Sequence, residues 1–179
     1  MIPALAFIGH HESGKTRVVV EVTKRLVERG YRVGTVKHAP DLEEVDVPGT
    51  DSALHLEAGA TRTLLRGKTA SALYFAHGDE DQLEREIDSL LLGCDLVLIE
   101  GYKGGPWPKI EVFRRGRDVR REPLAGEIDV LAVVTDERVA LPDGARLFGA
   151  REFDRVADFV ETVIADLDDN CAPDEAVLP

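Results

Sequence analysis

Apolar residues fall in short blocks along this chain, and the spacing inside each block assigns it to a strand or a helix. Residues 2–9 (IPALAFIG) are apolar without alternation and stop at a glycine, the pattern of a strand buried on both faces of a parallel sheet. From Lys15 to Arg29 the apolar positions Val18, Val19, Val22 and Leu26 keep helical spacing, and Gly30 supplies a C-terminal stop. YRVGTVKH (31–38) then reads as a second strand, so the chain opens with a βαβ unit.

Residues 39–49 carry prolines, acids and a glycine without periodicity; this irregular loop is too long for simple chain reversal, and long loops often carry function. A helix from about Thr50 to Ala58 follows, ended by Gly59, and TRTLLRG and TASALYFA read as two short strands around Gly67-Lys68. Between Asp79 and Leu92 the residues Leu83, Ile87, Leu90 and Leu91 share one helical face, with acids in the first turn and Gly93 at the end. DLVLIE (95–100) is a buried strand ending on a carboxylate, and KIEVFR (109–114) and DVLAVVTD (129–136) are two more strands. Phe153, Val156, Val160, Val163, Ile164 and Leu167 mark a last helix. Acids follow Arg155 with no compensating base, so residues 169–179 read as a solvated acidic tail behind a single domain of residues 1–168.

Composition narrows the setting. A chain of 179 residues suits one α/β domain, and no apolar run reaches the roughly 20 residues of a membrane helix. The amino terminus has neither a basic leader nor a small-residue cleavage site, which points to the cytoplasm. Cys94 and Cys171 sit in unlike contexts and are expected as free thiols. A net charge of −12 disfavours nucleic acid and anionic membrane as partners, since both are polyanions.

The chemistry concentrates in Gly9-His10-His11-Glu12-Ser13-Gly14-Lys15-Thr16, which satisfies G-x-x-x-x-G-K-[ST] between a strand and a helix. Glycines let the backbone curl so that its N–H groups converge on phosphate oxygens, and the following helix adds the positive end of its dipole. Lys15 is placed to reach the β- and γ-phosphates and Thr16 to put its hydroxyl on Mg²⁺. The fold class that follows is a three-layer P-loop NTPase with a mostly parallel sheet and helices on both faces. A rival reading makes His10, His11 and Glu12 a transition-metal site, although adjacent histidines do not converge on one ion without strain.

A magnesium-nucleotide site generally needs a carboxylate near the metal, and Glu100, at the end of an apolar strand, is well placed; pairing with Lys103 or Lys109 is its bland alternative. Gly101 can offer its N–H to the γ-phosphate. Asp46, in the long loop, competes as a metal ligand or stands as a solvated charge. Asp136, at the end of VVTD, can accept from N1 and N2 of guanine or simply form a turn.

Together these pieces resemble the MobB family of P-loop proteins, the molybdopterin-guanine dinucleotide biosynthesis adaptors. The resemblance covers about residues 3–115, through GTVKHAPDLEEVDVPGTDSALHLEAGA and DLVLIEGYKGGPWPKIEVFR. It implies a GTP-binding protein with slow hydrolysis at most, acting beside the guanylyltransferase that joins GMP to molybdopterin, and a homodimer. It implies a nucleotide site at Gly9–Thr16, with Asp46 and Glu100 near Mg²⁺. Thr50, Arg17 and Pro40-Asp41 depart from the family pattern of a lysine, a second threonine and a histidine-rich turn. Lys37-His38, Lys103 and Trp107 are expected on loops at the carboxyl edge of the sheet, facing a pterin phosphate or the partner enzyme, with a packed loop anchor as the alternative for Trp107. Two other functions use the same cradle. A small-molecule kinase would draw lid arginines from RRGRDVRR (114–121), and a metallochaperone GTPase would bind metal through His10 and His11.

Overall fold

The apolar run that opens the chain becomes β1 (Ala4–Ile8), buried at all five positions in the computed structural model, which describes residues 1–42, 45–75, 83–116 and 121–171, with side chains through 168. It lies inside a six-stranded parallel sheet with β2 (Val33–Lys37), β5 (Leu96–Glu100), β6 (Lys109–Val112), β7 (Ala132–Val134) and β8 (Arg146–Phe148), in the order β2-β5-β1-β6-β7-β8. Such strands need no polar face, which is why IPALAFIG and DLVLIE do not alternate. The register brings Glu100 level with Phe7 on one side and with Lys37 on the other, so β1, β5 and β2 end together.

Alternate residues of these strands split between the two faces. Leu5, Phe7, Leu96, Leu98, Ile110 and Val112 pack against Val18, Val22 and Leu26 of α1 (Lys15–Glu28) and Val156 and Val160 of α4 (Phe153–Cys171). Each large side chain fully buried there contributes about 1.5–3 kcal/mol. On the other face, α3 (Leu83–Leu90) ends just before Leu91, which with Cys94 closes over Gly34: a Cβ at Gly34 would stand 3.1–3.2 Å from Val97, Cys94 and Leu91. Cys94 is a free thiol, as expected.

The chain forms two compact units, residues 1–38 with 87 onward, and residues 39–86. The second contains α2 (Asp51–Glu57), capped by the Thr50 hydroxyl, and an antiparallel pair, β3 (Arg62–Arg66) and β4 (Ser71–Phe75), that turns at Gly67-Lys68.

Three sequence expectations change. Strand β8 is not foreseen, because three residues are too short to show a period. Two of the acids after Arg155 do find a base, on α1: Arg29 pairs with Asp158 at 2.8 Å and with Glu161, and the preceding Asp154 pairs with Arg25 at 2.8 Å. Residues 169–171, placed in the tail by the sequence, continue α4, and 172–179 lie outside the described residues. Residues 79–82 of the expected third helix and 117–120 of the arginine run also lie outside them. Among the described residues no helix is long and apolar enough to cross a membrane.

Candidate phosphate site

Between Ile8 and Lys15 the backbone takes a course open only to particular residues. Gly9 has φ +152°, and a Cβ there would meet the Val112 carbonyl oxygen at 2.3 Å and Ser13 Oγ at 2.8 Å. Gly14 is left-handed at φ +96°, and Glu12, with a side chain, holds φ +59°. Positive φ at a non-glycine costs free energy and persists where the surroundings enforce it, commonly at binding sites. Helix α1 begins with no side-chain cap and no acid in its first turn. Its N-terminal amides and dipole are therefore left for an anion.

Lys15 folds over this loop, its Nζ donating to Gly9 O at 3.2 Å and to His10 O at 2.7 Å. Burial lowers its pKa from the ordinary 10.5; Glu100 opposes the shift, and Lys103, Lys37 and Arg121 add to it. Positive charge has collected around a partly desolvated ammonium, an arrangement that a polyanion relieves. Thr16 Oγ1 donates to Glu100 Oε1 at 2.6 Å, and Lys37 Nζ stands 4.0 Å from the same oxygen. A hydroxyl and a carboxylate in contact at the mouth of an anion cradle are hard oxygen donors of the kind Mg²⁺ takes. The residues present therefore fit a magnesium-phosphate group.

The other expected site residues divide. Ser13 is buried in the loop with an unpartnered hydroxyl among the described residues. The Gly101 N–H does not stand free for a phosphate, because it donates to Phe7 O at 2.9 Å. What the position supplies is its φ of +97° and a close approach to His38, 3.2 Å from a built Cβ. Asp136 is exposed and accepts the Ala150 N–H at 2.8 Å through Oδ1, a tie to the segment after β8. Asp46 belongs to the second unit; its Oδ1 accepts the Val47 N–H at 2.8 Å, and its buried Oδ2 has no partner among the described residues.

The transition-metal reading gains nothing from the geometry. His10 Nε2–H donates to Glu122 O at 2.9 Å, His11 is exposed, and no group of three or more His, Cys, Asp or Glu among the described residues could hold a metal. Trp107 is a packed anchor. Pro108 O accepts the Ala6 N–H, so the 101–108 loop has already turned back to the middle of β1 and Trp107 sits behind the carboxyl edge, not on it. Its ring meets Tyr102 at 5.3 Å, which in turn meets His38 at 4.5 Å. It also lines a cavity of about 380 Å³ with Leu131, Val163 and Leu167.

Two further residues lie next to the loop, neither of them singled out individually by the sequence. Arg121 Nη1 donates to His11 O at 3.1 Å. Glu111, fully buried, accepts the N–H groups of Leu124 and Ala125 at 2.7 and 2.8 Å. A carboxylate on the inner side of an alternating strand is the one available signal for Glu111; Arg121 ends the arginine run 114–121 named above as lid arginines of a kinase, and nothing local singles it out within that run.

The sequence matches the family described as Molybdopterin guanine dinucleotide synthesis protein B (MobB) over residues 4–136, beyond the 3–115 covered by the motifs. It is 35% identical over 163 residues to the Molybdopterin-guanine dinucleotide biosynthesis adapter protein of Escherichia coli (strain K12), covering 89% of this chain and 92% of that one. The Haemophilus influenzae protein of the same name is 33% identical over 165 residues, covering 89% and 88%. A crystal structure of molybdopterin-guanine biosynthesis protein B (mobB) superposes with a TM-score of 0.68 at 28% identity, over 89% of this chain and 99% of the other.

Proposed function

The chain belongs to the MobB family, and from that premise we propose that it is a GTP-binding adaptor in molybdopterin guanine dinucleotide biosynthesis, with hydrolysis that is slow at most. The observation that carries this reading is the contact of Thr16 Oγ1 with Glu100 Oε1 at 2.6 Å beside Lys15, whose Nζ is held on the loop carbonyls of Gly9 and His10. In it, amides of Gly9 to Thr16 hold the phosphates, Lys15 neutralises the β- and γ-phosphates, and Thr16 and Glu100 hold Mg²⁺. The ion that Thr16 and Glu100 would hold would supply charge neutralisation for the phosphates. No described side chain stands as a strong base at the loop, which is why the reading is an adaptor that holds or presents GTP rather than a fast GTPase.

The reading extends to a partner, the guanylyltransferase that joins GMP to molybdopterin, and to a cytoplasmic homodimer. Leu64 and Leu73, exposed and paired across β3 and β4, support an association surface.

Equilibrium titration of the purified chain with GTP and with ATP, each with and without Mg²⁺, tests the reading. GTP with Mg²⁺ is expected to bind at least roughly tenfold more tightly than ATP, since a site built for guanine leaves its polar groups unpaired with adenine. Lys15→Ala is expected to lose most of that affinity. Equal binding of ATP would remove the guanine assignment, and turnover of many GTP per second without a partner would remove the adaptor.

A further inference from the structure

The segment 121–125 lies on the phosphate loop and is tied down from beneath. Glu111 on β6 is wholly buried, and its two carboxylate oxygens accept one backbone N–H each, from Leu124 and from Ala125. An unmet carboxylate at that depth would be costly, so the pairing fixes the backbone that crosses it. Just upstream, Glu122 O receives the His10 Nε2–H and Arg121 donates to His11 O, so two consecutive residues of the segment hold two consecutive residues of the loop.

The guanidinium is poorly matched to its present partner. A guanidinium has five N–H donors, and the bond to His11 O, a neutral carbonyl, uses one of them. The nearby carboxylates are engaged elsewhere: Glu122 and Glu137 both lie against Arg115, at 4.0 and 3.6 Å. No ion pair to Arg121 is formed among the described residues. The charge also reaches the lysine of the loop, where it joins Lys103 and Lys37 in lowering the pKa of Lys15 after burial.

The end of the loop at which this cation sits sets what it meets. Lys15 is drawn to the carbonyls of Gly9 and His10, and Arg121 to the next carbonyl along, His11. The lysine of such a loop reaches the β- and γ-phosphates, and Arg121 is bound to the carbonyl next to those that hold it. The geometry points to Arg121 as a contact for the terminal phosphate, through which the loop distinguishes a nucleoside triphosphate from a diphosphate. This rests on the triphosphate reading above. A planar fork matches two oxygens of a terminal phosphate, and a charge-assisted pair is stronger than a bond to a neutral carbonyl, so the phosphate displaces His11 O. With the 124–125 backbone held by Glu111, only the side chain has to turn.

Calorimetric titration of the full chain and of its Arg121→Ala variant, with Mg-GDP and with a Mg-GTP analogue whose β–γ bridge resists hydrolysis, tests the inference. The variant is expected to lose roughly tenfold or more in affinity for the triphosphate and less than about twofold for GDP. Arg121→Lys is expected to recover part of the loss, since it restores charge without the fork. Equal losses for both nucleotides would make Arg121 a strut of the loop and overturn the proposal, as would no loss for either. If the unaltered chain binds both nucleotides and only the Arg121 comparison fails, the triphosphate reading survives without this residue. If it binds neither, both readings fall.

Discussion

Gly9 and Gly14 share a motif but are required for different reasons. At Gly9 the obstacle is contact, because a Cβ would lie 2.3 Å from the Val112 carbonyl oxygen, which is backbone and has nowhere to go without moving β6. At Gly14 nothing lies within 4 Å, and only the left-handed φ of +96° resists a side chain. Gly9→Ala is therefore expected to cost about 1–3 kcal/mol of stability through overpacking and to abolish nucleotide binding. Gly14→Ala is expected to cost about 1–2 kcal/mol through conformation alone. Urea unfolding read alongside nucleotide titration separates the two, and a Gly9→Ala chain that kept both stability and binding would mean that the loop does not pack on β6 as described. Lys15 and Thr16 are already held, by the carbonyls of Gly9 and His10 and by Glu100, so binding of a magnesium phosphate there would require little side-chain rearrangement.

The elements that build the site are the opening βαβ unit, the end of β5 and the segment that Glu111 anchors. Removing Glu111 tests the last of these. Glu111→Ala leaves two amides near the core without acceptors, at about 1–3 kcal/mol each, so a loss of about 2–6 kcal/mol is expected by urea denaturation. Glu111→Gln should lose less, because its amide oxygen still accepts from one of them. A loss under about 1 kcal/mol for the alanine variant would show that the segment is held by other means. What the sequence disclosed follows the same physics. Long blocks with a clear period, such as 2–9, 15–29 and 95–100, announce their strands and helices, and the phosphate motif at their junction announces the site. Features that depend on tertiary pairing left no local trace. The three-residue β8, the α1 arginines answering the α4 acids, the return of the 101–108 loop to Ala6 and the Arg121 contact all join residues far apart in sequence. The engagement of the Gly101 N–H is hidden for the same reason, since its acceptor is Phe7, on a strand far earlier in the chain but adjacent in the sheet.

For the whole molecule the informative contrast is between overall and local charge. The chain carries a net −12, yet Lys15, Lys37, Lys103 and Arg121 act together at one end of the sheet, against Glu100. An acidic body with a local cationic site would repel polyanions generally and favour a small one where field and hydrogen-bond donors coincide. That contrast and the MobB family assignment lead to the same claim, that the bend between β1 and α1 holds a magnesium triphosphate. The most direct measurement is a crystal structure of the chain grown with Mg²⁺ and a non-hydrolysable GTP analogue. The account predicts a polyphosphate ringed by the amides of Gly9 to Thr16, with the metal touching Thr16 Oγ1 and Glu100. Nucleotide bound elsewhere with this bend unfilled, or a transition ion held there by the imidazoles of His10 and His11, would contradict it.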